Sequence, residues 1–381
     1  MFEMLPALAG GLFWAVLTEK STYGSYRINK DQPLANRIAF AMLVISLALP
    51  ISLRTFYNDT YNYMRNFVTG PNLSVLLATE SLHVLKNPAF LIYSALIRTF
   101  TDNYTIFFML PAVFVQYSYA RFIRRHCPSF LVGMILYFCL GTYTFSIAAM
   151  KQTIAMAILL YAVDDLIDRR NKGFYLKVFL ALLFHTYAII FLILPLFTNK
   201  PWTLRTFILL GAILFTMRNF ESVILSFLEI ANESGKEVSS SELLGTASIN
   251  PIRVAVYGVG PLFALVFRRY LFSGNGDREH NILVNMSIIS VAVMSIGLVS
   301  AANMFARMAQ YFEFGMICSL PWMVEKPFEK ASGKIVTFVM IVCFTGFFLY
   351  AHVLWMPFDD GYTRLTVLEF LKILLDGMVF N

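Results

Sequence analysis

Between Asn281 and Pro321 only Arg307 and Glu313 carry charge, and between Ser129 and Val163 only Lys151 does. An arginine or lysine at the centre of a membrane-spanning helix costs about 2.5–3.5 kcal/mol, so each such group asks for a reason. Arg307, Gln310 and Tyr311 are spaced i, i+3, i+4 and would share one helix face. A guanidinium, an amide and a phenol on one stripe suit a polar ligand. A buried Arg307–Glu313 ion pair is the plainer alternative, but six residues put the two on different faces of one helix. Lys151, with Gln152 beside it, is either a snorkelling lysine at a helix end or an anion contact. His185 lies twelve residues from each end of Gly173–Phe197. It reads as a neutral core histidine or as a group that exchanges a proton near neutral pH. The segment LRTFYNDTYNYMRNF gathers Arg54, Asn58, Asp59, Tyr61 and Tyr63. Amides and carboxylates suit sugar hydroxyls, and flat rings suit sugar faces. An interfacial aromatic belt with Asp59 as a helix cap is the alternative. Arg253, just after Asn250-Pro251, begins a further apolar stretch.

The surroundings of these groups are strongly apolar. Of 381 residues, 58% are hydrophobic and 14% charged, against about a quarter charged in soluble domains. Mean hydropathy is +0.66. Charge-free runs include Ile38–Leu53, Tyr104–Ala120, Ser129–Met150, Asn281–Met304 and Ile335–Phe358. About 20 apolar residues cross the hydrocarbon core as a helix, so these runs mean repeated membrane spans. The start, MFEMLPALAGGLFWAVLTEK, lacks a basic leader region and reads as the first span. The net charge of +7 does not indicate nucleic acid, because no basic tract with interleaved aromatics occurs. Cys127, Cys139, Cys318 and Cys343 form no CxxC and read as buried free thiols. No metal-ligand spacing is present, so no metal site is assigned.

Lys and Arg in short loops set orientation. Lys20–Arg37, Arg121–Arg125, Arg169–Lys172, Arg268–Arg278 and Lys326–Lys334 are placed in the cytoplasm. The spans between them fall near 2–18, 38–53, 103–120, 129–148, 149–168, 173–197, 203–217, 219–231, 251–270, 281–302, 304–324 and 334–354. The expected fold is therefore all-α, a single polytopic membrane bundle of about twelve transmembrane helices with both termini outside. A large external loop, 54–102, carries the apolar stretch Asn87–Ile97, too short to span and read as an interfacial or re-entrant helix. A second external loop covers 231–250, and 365–380 reads as an amphipathic surface helix.

Charge alone then places Arg54, Asp59, Lys151, Arg253 and Arg307 at the outer leaflet. Cations gathered at that depth suit a ligand with several negative charges, and arginine offers phosphate two parallel hydrogen bonds. A polyprenyl pyrophosphate has its tail in lipid and its diphosphate at that level.

Five pieces of the chain, in order, resemble a known pattern: LPISLRTFYNDTYNY, NPAFLIYSALIRTFTDN, FSIAAMKQTIAMAI, LALLFHTYAIIFLI and MFARMAQYFEFGMICSLPW. They are similar to the Arg…Asp-Thr…Tyr, Pro-Phe, Arg-Gln-x-Ile-Ala, Phe-His and Arg…Tyr-Phe elements of the EpsG/Wzy-type polysaccharide polymerases. Two positions depart from it. Lys151 stands where the family usually has Arg, which keeps an anion contact but loses bidentate geometry. Asn87 stands where relatives often carry an acid, leaving Glu80 and Asp102 as other acids in that loop.

The resemblance implies extension of an undecaprenyl-pyrophosphate-linked glycan at the outer face of a bacterial inner membrane. Arg54, Lys151, Arg253 and Arg307 would meet the diphosphate. Asp59, then His185, would act as base, and Tyr63, Gln152, Gln310 and Tyr311 would position substrate. No cofactor is implied; the partners are the lipid-linked glycan, the bilayer and, as a further candidate, a chain-length regulator protein. Three rival readings are a lipid-linked oligosaccharide flippase, another transferase such as an O-antigen ligase or membrane acyltransferase, and a structural membrane protein.

Overall fold

The computed structural model describes residues 2–23, 32–78, 87–216, 219, 249–273, 277–299 and 302–379. The expected span at 219–231, nearly all of the loop at 231–250, and Glu80 lie outside the described residues. The chain is almost entirely helical, as its apolar blocks require: lipid offers backbone groups no partners, so they must bond within each segment. Among the described residues, four helices are long and apolar enough to span a membrane: Leu34–Ser52, Tyr104–His126, Arg278–Ile296 and Lys330–Trp355. A bent pair, Phe130–Cys139 with Thr142–Ala148, makes a fifth candidate.

The chain divides into two compact units. Unit 1 comprises residues 1–165, 171–189 and 341–381. Its helices are α1 (Leu5–Lys20), α2 (Leu34–Ser52), α3 (Thr60–Val68), α4 (Leu73–Ala78), α5 (Pro88–Phe100) and α6 (Tyr104–His126). They continue with α7 (Phe130–Cys139), α8 (Thr142–Ala148), α9 (Met150–Ile167, to Asp165) and α10 (Asn171–Phe184). Helix α1 packs on α2 and α7, and α2 on α6. Local chemistry sets the starts. Asn103 accepts from the Thr105 N–H at 2.9 Å, and Ser129 from Val132 at 3.3 Å, each satisfying a donor that its helix leaves unpaired. Between α7 and α8, Gly141 adopts φ +79° and the axis bends by 57°. A Cβ there would lie 3.1 Å from His352 Nε2. Buried polar groups are bonded within the apolar core: Tyr137 donates to Gln116 Oε1 at 2.7 Å, and Gln116 to Ser146 at 3.0 Å.

The two ends of unit 1 differ in chemistry. At one end, β1 (Arg54–Phe56) pairs antiparallel with β2 (Thr363–Arg364). There Tyr362 donates to the Pro50 carbonyl at 2.7 Å, and Arg364 pairs with Glu3 at 3.1 Å. The first residues, the start of the 54–102 loop and the segment after 355 therefore meet at one end of unit 1. The other end is ionic. Asp164 gathers Arg121 (2.8 Å), Arg125 (3.4 Å) and His126 (2.7 Å), and Lys177 pairs with Asp165. Glu19 at the end of α1 accepts from Ser129 and Leu131 at the start of α7.

Unit 2 comprises residues 166–170 and 190–340. Its helices are α11 (Leu204–Thr216), α12 (Pro251–Val266), α13 (Arg278–Ile296), α14 (Ala302–Gln310) and α15 (Glu313–Glu325); α16 (Lys330–Leu349) begins here and ends in unit 1. Asn250 caps α12 through Ile252, with Pro251 at the first helical position, and Asp277 caps α13 through Glu279. Helices α13 and α15 approach so closely at Gly315 that a Cβ would lie 2.4 Å from Met286 Cβ and 2.5 Å from the Leu283 carbonyl.

Three expectations change. The stretch 173–197 is not one helix: α10 stops at Phe184, and Thr186–Phe197 continues as a 3-10 helix. Arg169, Thr198 and Lys200 line one cavity, so the residues on either side of this stretch lie close together in unit 2. The stretch 304–324 breaks at Tyr311–Phe312, where i→i+3 bonds to Met308 and Ala309 tighten the turn. Three cysteines are buried as expected, but Cys343 is exposed on α16, whose outer face (Ile335, Phe338, Val339, Val342) is apolar and uncovered.

Candidate functional site

In unit 1 the sequence candidates gather around β1 and the first turn of α9. Arg54 is 1% exposed. Its Nη1 donates to the Ile51 carbonyl at 2.7 Å and its Nε to Thr60 Oγ1 at 3.1 Å. Its guanidinium also lies 4.0 Å from the Phe108 ring centroid and 3.9 Å from Met150 Sδ. Burial lowers its pKa to about 10, opposed by the nearby Tyr63 and Tyr362 phenols. It stays cationic at neutral pH, and it makes no ion pair with a carboxylate among the described residues. It also lines a narrow cavity with Ser146, Met150 and Thr153.

Lys151 sits one residue beyond Met150. Its ammonium lies 4.8 Å from the Phe90 ring centroid and 5.8 Å from that of Tyr63, and those two rings are 5.8 Å apart. Aromatic faces hold a cation without neutralising it. Gln152 is buried at 1% exposure. Asp59 precedes α3 without making the expected cap bond, is half-buried, and makes no ion pair among the described residues. Arg54, Tyr63 and Lys151 thus share one end of unit 1, with Asp59 next to Arg54's partner Thr60. His185 is not in a helix middle. It occupies the joint between α10 and the 3-10 segment, half-buried, with its ring 5.0 Å edge-on from Tyr187. Asn87 is buried in a left-handed conformation (φ +58°) immediately before Pro88 starts α5. Asp102 pairs with Arg98.

In unit 2, Arg253 lies on the first turn of α12. It stacks 5.5 Å from the Tyr257 ring centroid and hydrogen-bonds the Tyr257 hydroxyl, which donates to Glu313. Tyr257 and Glu313 are 1% and 0% exposed. Arg307 is half-buried on α14 and Gln310 is buried at its end. Tyr311 is buried in the turn beyond, so the expected three-residue stripe ends at Gln310, because the helix does.

The model of the EpsG family matches residues 37–359. The chain belongs to the EpsG family. Membership supports a role of the polysaccharide-polymerase type for this multi-pass membrane protein. No curated protein and no solved structure matches the chain.

Sequence reasoning missed the part played by five residues. By pattern Phe90 belongs to the interfacial or re-entrant stretch 87–97 and Phe108 to a span, yet they are rings that hold Lys151 and Arg54. Tyr257 was overlooked, although its i, i+4 spacing from Arg253 was readable. Glu313 was weighed only as a partner of Arg307. Tyr362, close to Arg54 through β-pairing across most of the chain, left no local signal.

Proposed function

We propose that the protein extends a surface polysaccharide by joining undecaprenyl-pyrophosphate-linked repeat units at the outer face of the inner membrane. A hydroxyl of the incoming lipid-linked unit attacks the anomeric carbon of the growing chain. The C–O bond to diphosphate breaks, and undecaprenyl pyrophosphate leaves with the bonding pair. The hydroxyl proton passes to a base, Asp59 first and His185 second. Negative charge grows on the departing diphosphate, and cations already in place stabilise it without reorganising. Lys151 and Arg54 serve in unit 1; Arg253 and Arg307, in unit 2, are candidates named from the sequence pattern. In unit 1, Tyr63 and Gln152 orient sugar and diphosphate; Gln310 and Tyr311 are the corresponding sequence candidates of unit 2.

One observation carries this reading: Arg54, buried and lacking a carboxylate partner, and Lys151, held on two aromatic rings, stand at the same end of unit 1. A cation buried in an apolar setting without a carboxylate partner, as Arg54 is among the described residues, is costly and marks a site where an anion is handled. A glycan gel of cells lacking the protein should show a single repeat unit instead of a ladder. A normal ladder in such cells removes the reading.

The helix breaks at Gly141 and His185 favour a second reading, because carriers use discontinuous helices at their binding sites. A flippase would move lipid-linked oligosaccharide across protein-containing vesicles without forming polymer; the polymerase reading expects polymer and no transbilayer movement.

A further inference from the structure

Unit 2 holds another concentration of positive charge that the proposed reaction does not use. Arg169, Lys200, Arg205 and Arg278 line one open cavity with Thr203 and Asn281, and no carboxylate among the described residues lines it. The four cations come from separate places: just past α9, the loop after the 3-10 segment, the start of α11, and the first residue of α13. Arg169, Arg205 and Arg278 make no ion pair with a carboxylate among the described residues.

The walls are fixed by the fold. Arg278 donates from Nε and Nη2 to the Leu166 carbonyl at 3.1 and 3.0 Å. Asn285 donates to the carbonyls of Phe197 and Asn199 at 2.6 and 2.8 Å, and Trp202 Nε1 to that of Pro261 at 3.1 Å. Arg169 and Trp202 adopt φ of +61° and +57°, conformations that L side chains disfavour and that the surrounding bonds impose. Asn281 is 5% exposed, and its Oδ1 position has no hydrogen-bond partner. Since amide oxygen and nitrogen exchange places by a simple flip, this group can present N–H to the cavity.

Cytoplasmic loop cations ordinarily disperse in water, where they serve only orientation. Here they are held facing one concavity. Like charges so placed repel until an anion enters, and arginine forks match phosphate oxygens. We propose that this cavity binds a phosphate-bearing anion of two or more negative charges, a phosphate ester or a diphosphate, at the cytoplasmic leaflet. The ligand is either the headgroup of an anionic membrane lipid or a soluble phosphate compound. The site is separate from the polymerising residues and does not depend on their assignment.

The test uses the full chain in neutral detergent. Native mass spectrometry compares cardiolipin, whose headgroup carries two phosphates, with phosphatidylcholine, and calorimetry measures sodium pyrophosphate. At least one anionic probe should bind better than its neutral control. Binding should weaken as salt rises and fall about tenfold or more in the Arg169→Gln/Arg205→Gln variant, with the thermal midpoint unchanged. Lipid binding alone identifies a headgroup site; pyrophosphate binding alone identifies a soluble ligand. If that variant fails to fold, Lys200→Gln/Arg205→Gln is held to the same criterion. Wild-type protein that prefers neither anion, or a folded variant that binds as tightly as wild type, overturns the proposal.

Discussion

At the residue scale, Lys151 and Arg54 do different work. Arg54 is locked by two hydrogen bonds and a ring face, so its removal disturbs folding as well as charge. Lys151 is half-buried and held by rings, so it is the cleaner probe. Lys151→Met should lower polymerisation about 10²–10³-fold, the usual cost of losing one preplaced stabiliser of developing charge. Lys151→Arg should keep most of it; quantified glycan ladders at equal protein level check both. Acid–base behaviour gives an independent check on the rings of Tyr57, Phe358 and Tyr362, which pack together beside β1 with Tyr57 5.0 Å from Phe358 and 6.0 Å from Tyr362. Burial pushes the Tyr57 phenol up to about 12, against about 10 when unfolded. The folded-state value is raised, so this contribution is complete below about pH 10 and is lost as pH climbs toward 12. Ultraviolet titration should show a late-ionising tyrosine that Tyr57→Phe removes.

At the element scale, breaks matter more than spans. Helix starts were legible: Asn103, Ser129, Asn250 and Asp277 are the residues that cap best, and each does so. The breaks at His185 and Tyr311 were not legible. Neither site holds glycine or proline, and apolar residues continue on both sides, so packing decides where the helix stops. Gly141 did leave a signal, since its φ of +79° suits glycine best. Gly141→Ala should destabilise the protein by about 1–2 kcal/mol from backbone strain, plus crowding against His352; thermal unfolding in detergent measures it. At the other terminus, Thr366 and Glu369 form a reciprocal cap before α17 (Val367–Val379): Thr366 donates to Glu369 at 2.7 Å and accepts from it at 3.2 Å. Those bonds hold the Glu369 carboxyl below its usual value. Their contribution is present above the ordinary glutamate range and fades as pH falls through the depressed pKa. Faster amide exchange at the start of α17 in Glu369→Gln is the expected result.

At the scale of the whole molecule, the polytopic all-helical character follows from composition. The pairing of β1 with β2 was not legible, because it is very short and joins residues about three hundred positions apart. Orientation is directly testable in a Cys343→Ser background. An impermeant maleimide should label Asp360→Cys in intact cells and Asp168→Cys only after permeabilisation; the reverse pattern would place the polymerising residues on the wrong side. The central claim is that preplaced cations drive departure of a lipid diphosphate. Purified protein supplied only with undecaprenyl-pyrophosphate-linked repeat units should release one undecaprenyl pyrophosphate for each linkage formed, without nucleotide, and Lys151→Met should slow both together. Polymer without diphosphate release, or equal rates in the variant, would contradict it.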